Sequence, residues 1–277
     1  MLSTKRIGRR GHLRYGFGVH FSQTIEHATH AHAQHAQATS YAIQKFIDDP
    51  DFLSRVIEFD IPLIGDISGL DIVHLQCHIG TDTLSLARRG GKRVVGLDFS
   101  PAALKEGNRL IASAGSGEKV SFVEASTYDA LNVLEASSFD MVFTGIGAIC
   151  WLPRIREWAK VVHALLKPGG RLFIREVHPI LQSLDDSIKT DLAIRYAYFE
   201  TKEPTEFNEQ GTYVEIADAN KQWKATRTAE WNHGLGEIVQ GLLDVGMMIT
   251  GLAEHTSAPW EALPGQMVKG ENGRSIM

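Results

Sequence analysis

Four residues stand where this sequence can do chemistry: Gly80, Asp98, His178 and His233. Gly80, in VHLQCHIGTDT, falls where a strand gives way to a helix, a turn that bends tightly and lets a ligand approach without a Cβ in the way. Asp98 lies at the tip of the next strand, about 20 residues on, where an acid can accept hydrogen bonds from both hydroxyls of a ribose. The pair points to a nucleoside-containing cofactor. Gln76 and His78, on either side of Cys77, occupy places that glycines fill in a phosphate-binding turn, so a cofactor without pyrophosphate fits better than a dinucleotide. His178 in REVHPI and His233 in AEWNHGLGE are candidates for general base, with a loop-orienting structural histidine as the alternative for each. Trp151 and Trp231 are candidate walls of an aromatic or apolar substrate pocket, with core packing as the competing reading.

From Ile72 onward, short apolar runs alternate with amphipathic stretches, the pattern of βαβ units. Strands are expected at Ile72–Leu75, Arg93–Leu97, Val120–Glu124, Met141–Thr144, Arg171–Glu176 and Met247–Leu252. Helices are expected at Thr81–Arg89, Ala102–Ala114, Arg154–Leu166 and Gly236–Val245, and Pro168-Gly169-Gly170 turns one of them into the next strand. The predicted fold class is α/β: a Rossmann-like, doubly wound, mostly parallel sheet with helices on both faces. Residues 181–230 break the alternation with period-two pieces at Tyr196–Thr201, Thr212–Ile216 and Trp223–Thr228. They read as a small antiparallel insertion after the fifth strand, placed to cap a substrate.

The chain has 277 residues, 43% hydrophobic and 22% charged, with a formal net charge of −5. That length buries one sizeable core, and the charge gives no pull toward nucleic acid or an anionic membrane. Cys77 and Cys150 form no C-x-x-C pair, which argues against a disulfide framework or thiolate zinc site and for a reducing compartment. No apolar run suggests a membrane span. A cytoplasmic protein is expected, acting on a small molecule. Residues 1–40 read as a basic, His-rich extension, separate from a domain at 41–277. Lys5, Arg6, Arg9, Arg10 and Arg14 also give residues 1–25 the bias of a mitochondrial leader, but their glycines weaken the helix that such a signal needs. His27, His30, His32 and His35 recur at near-helical spacing; a solvated Ala/His/Gln helix is preferred to a metal site there, and no metal is predicted.

The order VHLQCHIGTDTLSLARRG, VVGLDFSPAALKEGNRL, VSFVEASTYDA, FDMVFTGIGAICWLP and HALLKPGGRLFIREVHP resembles the class I S-adenosylmethionine-dependent methyltransferases, over roughly residues 40 to 260. The variant LQCHIGTDT resembles a subgroup acting on small molecules. The resemblance implies S-adenosylmethionine as cofactor. It sets Gln76, Cys77, His78 and Gly80 against the methionine part, Asp98 on the ribose and Phe99 beside the adenine. Ser126 and Thr127 would meet the adenine edge, and Gly145 would line the floor near the sulfonium. The implied reaction is methyl transfer to an oxygen or nitrogen of a small, partly aromatic molecule. A catalytically silent protein that binds the cofactor or its product is the alternative, and a nicotinamide oxidoreductase is disfavoured by the missing glycines. His74 stands where the family has an acid, and Ser126 where an Asp is common. Beyond Leu252 no alternating apolar run remains, so the family's seventh, antiparallel strand is expected to be absent.

Overall fold

Alternating apolar positions decide which way each strand faces. In Asp71–Leu75 (β2), Val73 and Leu75 enter one core cluster and Ile72 the other; in Arg93–Asp98 (β3), Val95 and Leu97 oppose Val94. Phe139–Thr144 (β5) does the same, with Val142 on one side and Met141 and Phe143 on the other. Side chains that alternate across a strand and are buried on both faces require a helical layer on each side. The computed structural model, which describes residues 2–6, 42–208, 227–258, 260–270 and 275–276, has those layers. Ile155–Leu165 (α6) and Leu235–Asp244 (α8) cover one face through Trp158, Val162, Leu165, Ile238 and Leu242. Arg55–Ile64 (α2), Thr81–Arg88 (α3) and Pro101–Ser113 (α4) cover the other through Ile57, Leu86 and Ile111. Ser54 and Ser100 start α2 and α4 by accepting the N–H groups of Ile57 and Ala103, and Pro101 supplies the fixed φ of a first helical residue.

The remaining labelled elements are Leu2–Arg6 (β1), Ile43–Asp48 (α1), Val120–Glu124 (β4), Ala130–Val133 (α5), Leu166–Ile174 (β6), Pro179–Ser183 (α7), Thr205–Asn208 (β7), Arg227–Glu230 (β8) and Met247–Leu252 (β9). The main sheet has seven strands in the order β4-β3-β2-β5-β6-β1-β9. Strands β2 to β6 pair in parallel. Two of the sequence-derived strands, Val120–Glu124 and Met247–Leu252, match at both bounds; Leu166–Ile174 starts earlier, running through the Pro-Gly-Gly turn with Gly169 at a φ of 82°.

The expectation of a missing seventh strand is corrected. Leu2–Arg6 runs antiparallel between β6 and β9, with Leu2 opposite Ile174 on one side and Leu252 on the other. The slot is filled instead from the basic N-terminal segment. Val268–Lys269, in the tail after Leu252, pairs instead with Ser275–Ile276 in a separate three-stranded sheet. The inserted region carries an antiparallel pair, β7 with β8, but Tyr196–Thr201 is not a strand. The expected strand at 212–216 and the four histidines at 27–35 lie outside the described residues.

Because β6 and β9 are joined only through β1, their main-chain groups facing it would lose their partners if it were removed. A variant lacking residues 2–6 is expected to lose hydrogen-exchange protection within Arg171–Ile174 and Met247–Leu252 while Ile72–Leu75 keep theirs. Unchanged protection in β9 would show that α8 packing alone holds that strand.

Candidate functional site

The turn after β2 takes the path of a glycine loop with only one glycine in it. Gln76, His78 and Gly80 all have left-handed backbone, at φ of 57°, 51° and 75°. For Gln76 and His78 this costs roughly 1–2 kcal/mol each, a strain kept where the surrounding structure over-determines it. Cys77 N–H donates to Leu97 O at 3.0 Å and Gly80 N–H to Cys77 O at 2.9 Å. His78 N–H donates to Asp98 Oδ2 at 2.8 Å. At Gly80 a Cβ would lie 2.2 Å from the Phe122 ring, so the residue is fixed by packing as well as by φ. Gln76 reaches the turn after β5, its Nε2 donating to Ala148 O at 2.7 Å, and its Oε1 is buried with no partner among the described residues.

Four acids gather around this loop. Asp98, 5% exposed, accepts the N–H groups of His78 and Ser100, one on each carboxylate oxygen. Burial pushes its carboxyl up against those N–H groups, and each oxygen keeps acceptor capacity for a ligand. Glu176, just past β6, accepts the N–H groups of Gly147, Ala148 and Ile149 at 2.7, 2.7 and 2.8 Å and that of Val177 at 3.2 Å. It therefore shapes the turn after β5 rather than pairing with Arg175. Arg175 Nε instead donates to Asp60 Oδ1 at 2.7 Å, and burial still raises Asp60 to about 6. Asp82, in the first turn of α3, turns toward Gly145, where an added Cβ would lie 3.4 Å from its Oδ2 and 3.8 Å from His74 Nε2. His74 is buried with Nδ1 2.9 Å from Thr83 Oγ1, and burial pushes it down to about 3, so the ring is neutral.

Beside the loop, at the carboxyl ends of β6 and β9, lies a cavity of about 840 Å3 whose walls include Arg55, Phe59, Ile146, His178, Glu254 and Trp260. Phe59 packs over the Arg175 guanidinium, 4.9 Å from ring centroid to cation. His178 faces this cavity: its Nδ1 accepts Ile180 N–H at 3.2 Å and its Nε2 lies 2.8 Å from Glu254 Oε1.

His233 is elsewhere. It is 2% exposed, with Nε2 2.7 Å from Leu152 O and 3.1 Å from Ile149 O, and Nδ1 3.0 Å from Glu200 Oε2. A nitrogen facing two carbonyls carries a proton, and Nδ1 is turned to Glu200, so this buried ring ties the 149–152 turn to the insertion and does not reach the cavity. The indoles of Trp151 and Trp231 are also off the cavity wall. Trp151 Nε1 donates to Gly147 O, and Trp231 pairs its main chain with Cys150 O. Ser126 accepts Tyr128 N–H at 3.3 Å, Thr127 is buried beside it, and Phe99 follows Asp98 at the rim. Cys77 and Cys150 are buried thiols pushed up by desolvation, which suits neither to nucleophilic attack. Among the described residues no group of His, Cys, Asp and Glu could hold a metal. Asp82, the Asp60–Arg175 pair, Phe59, Glu254 and Trp260 escaped the sequence reading; the only hint was an acid two residues after the loop glycine.

Two outcomes check this geometry. Gly80→Ala is expected to destabilise by about 2–4 kcal/mol through backbone strain and overpacking, with Phe122→Leu relieving part of the cost in urea unfolding. His74, depressed in the folded state from 6.5 to about 3, contributes stability that is full above its unfolded value and is lost as pH falls toward the folded one. Wild type is therefore expected to lose about 1.4 kcal/mol per pH unit more than His74→Gln between roughly pH 6 and 4. Asp60 acts with the opposite sign, so a wild-type curve no steeper than the variant's would count against a neutral buried His74.

A family model described as a methyltransferase domain matches residues 73–172. A rice protein (Oryza sativa subsp. japonica) named as a probable chloroplastic tocopherol O-methyltransferase is 26% identical over 200 residues, covering 71% of this chain and 54% of that protein. The demethylmenaquinone methyltransferase of Lactococcus lactis is 33% identical over 121 residues, covering 43% of this chain and 46% of its own. The chain thus spans about half the length of these curated relatives. A solved structure from Listeria monocytogenes, assigned to the S-adenosylmethionine-dependent methyltransferases, aligns over 91% of this chain and 94% of its own with a TM-score of 0.55 at 17% identity, a likeness of fold. Residues 73–172, which carry the left-handed loop after β2 and most of the five parallel strands, are thus similar to a methyltransferase domain.

Proposed function

We propose that this chain transfers the methyl group of S-adenosylmethionine to an oxygen or nitrogen of a small, partly aromatic molecule. The observation that carries the reading is that the loop after β2 and the cavity share one turn: Gln76 is bonded to Ala148, and Ile146 of the same turn lines the cavity. A cofactor and an acceptor held on the two sides of such a turn are neighbours. The rice relative's name specifies O-methylation, in agreement with an oxygen acceptor.

The site's residues fit the cofactor. The left-handed loop presents main chain at Gln76, Cys77, His78 and Gly80, Gln76 Oε1 is a buried acceptor awaiting a donor, and Gly145 adds no side chain where Asp82 Oδ2 and His74 Nε2 converge. Asp98 has acceptor capacity left for ribose hydroxyls, with Phe99, Ser126 and Thr127 beside it for the base. When bound, the cofactor supplies a methyl already activated on a sulfonium. The protein's share is then orientation and exclusion of water, with a base where the nucleophile starts protonated. Phe59 and Trp260 give the acceptor aromatic walls. His178, fixed through Nδ1, turns Nε2 to Glu254, whose side chain is 67% exposed and free to yield its place to an acceptor hydroxyl.

Calorimetric titration with S-adenosylmethionine and S-adenosylhomocysteine is expected to give micromolar binding, about −8 kcal/mol, lost in Asp98→Ala. In an acceptor screen, His178→Ala is expected to lower kcat about 100-fold with cofactor affinity unchanged. Binding without transfer to any acceptor would favour the silent binding protein, a reading that has in its support the engagement of both His178 nitrogens.

A further inference from the structure

Each of the other acids at the site has its charge met. Asp98 is held by main-chain N–H groups, Glu176 by four of them and Asp60 by Arg175. Asp82 differs. The Ser54 hydroxyl donates to it, and it forms no ion pair among the described residues; Arg175, the nearby cation that acts on it, is committed to Asp60. Burial pushes its carboxyl up. Asp82 is half-buried, and a carboxylate partly withdrawn from water without a cation is costly to keep.

The place it faces is small and defined. Asp82 Oδ2 and His74 Nε2 lie 3.4 and 3.8 Å from the point where Gly145 would carry a Cβ, so a carboxylate and an uncharged imidazole wall a gap beside a residue with no side chain. His74 cannot serve as the counter-charge, because its ring stays neutral and its other nitrogen is tied to Thr83. Gln76, in the loop itself, keeps an Oε1 with no partner among the described residues. A carboxylate oxygen facing this space without a cation describes a site for a cationic group rich in N–H.

We infer that Asp82 receives the α-ammonium of the cofactor's methionine part, taking over from the helix the acidic role that a histidine leaves empty at the end of β2. The assignment rests on S-adenosylmethionine being the cofactor. It makes Asp82 a binding residue for the amino-acid end alone, with no part in holding the nucleoside.

The test is calorimetric titration of wild type, Asp82→Asn and Asp82→Ser with S-adenosylhomocysteine, which carries the ammonium, and 5′-methylthioadenosine, which lacks the amino-acid part. Both variants are expected to bind S-adenosylhomocysteine about 10- to 100-fold more weakly while binding methylthioadenosine within about twofold of wild type, the range of one charged hydrogen bond. If Asp82→Asn does not melt cooperatively, Asp82→Ser carries the comparison. Unchanged affinity for S-adenosylhomocysteine, or equal losses for both ligands, overturns the assignment; equal losses would make Asp82 a support of the loop. Wild type binding neither ligand would overturn the cofactor reading and this inference together.

Discussion

The left-handed path of the chain at residues 76, 78 and 80 is the constraint on which the site depends. It turns the main chain over the end of β2, sends α3 off in the correct direction and leaves peptide groups facing the carboxyl ends of the strands. Glycines make such a path without strain; this chain makes it with a glutamine and a histidine and fastens it from outside. Asp98 grips His78 N–H, Leu97 O takes Cys77 N–H, and Gln76 is bonded to the far side of the groove at Ala148. Those anchors explain how two non-glycine residues remain in a region that L-residues rarely occupy.

Charge is handled with the same economy of partners. Main-chain N–H groups meet Glu176 and Asp98, so that each acid also fixes a turn, one after β5 and one after β3. The Asp60–Arg175 pair joins α2 to the end of β6 and supports the floor of the cavity through the Phe59 ring. His74, neutral by burial, fills the strand end without adding a charge. The same carboxylates therefore build the site and set its electrostatics, and a substitution at any of them changes both.

The origin of the antiparallel strand links distant parts of the chain. β1 joins β6 to β9, and the residues after β9 supply Glu254 and one side of the cavity. The shape of the acceptor site thus depends on main-chain pairing by residues that precede the rest of the sheet by dozens of positions, a contact of long sequence separation.

The sequence by itself determined the parallel strands, their helices and the loop with its acid, because these are written in short-range terms: period-two apolar runs, amphipathic stretches, a glycine at a turn, an aspartate at a strand tip. Only the tertiary structure decided that Leu2–Arg6 fills the antiparallel slot, since strand pairing runs through main-chain groups that every residue carries and no local pattern reports. His178 and His233 looked alike in sequence, and the fold put one on a cavity and the other between two carbonyls. Trp151 and Trp231 looked like pocket walls; Phe59 and Trp260, from opposite ends of the chain, are what line it. The same holds for Asp82, an ordinary first-turn acid until packing sets it against Gly145. Burial and proximity across the fold assign such roles, and residue type with local spacing carries neither.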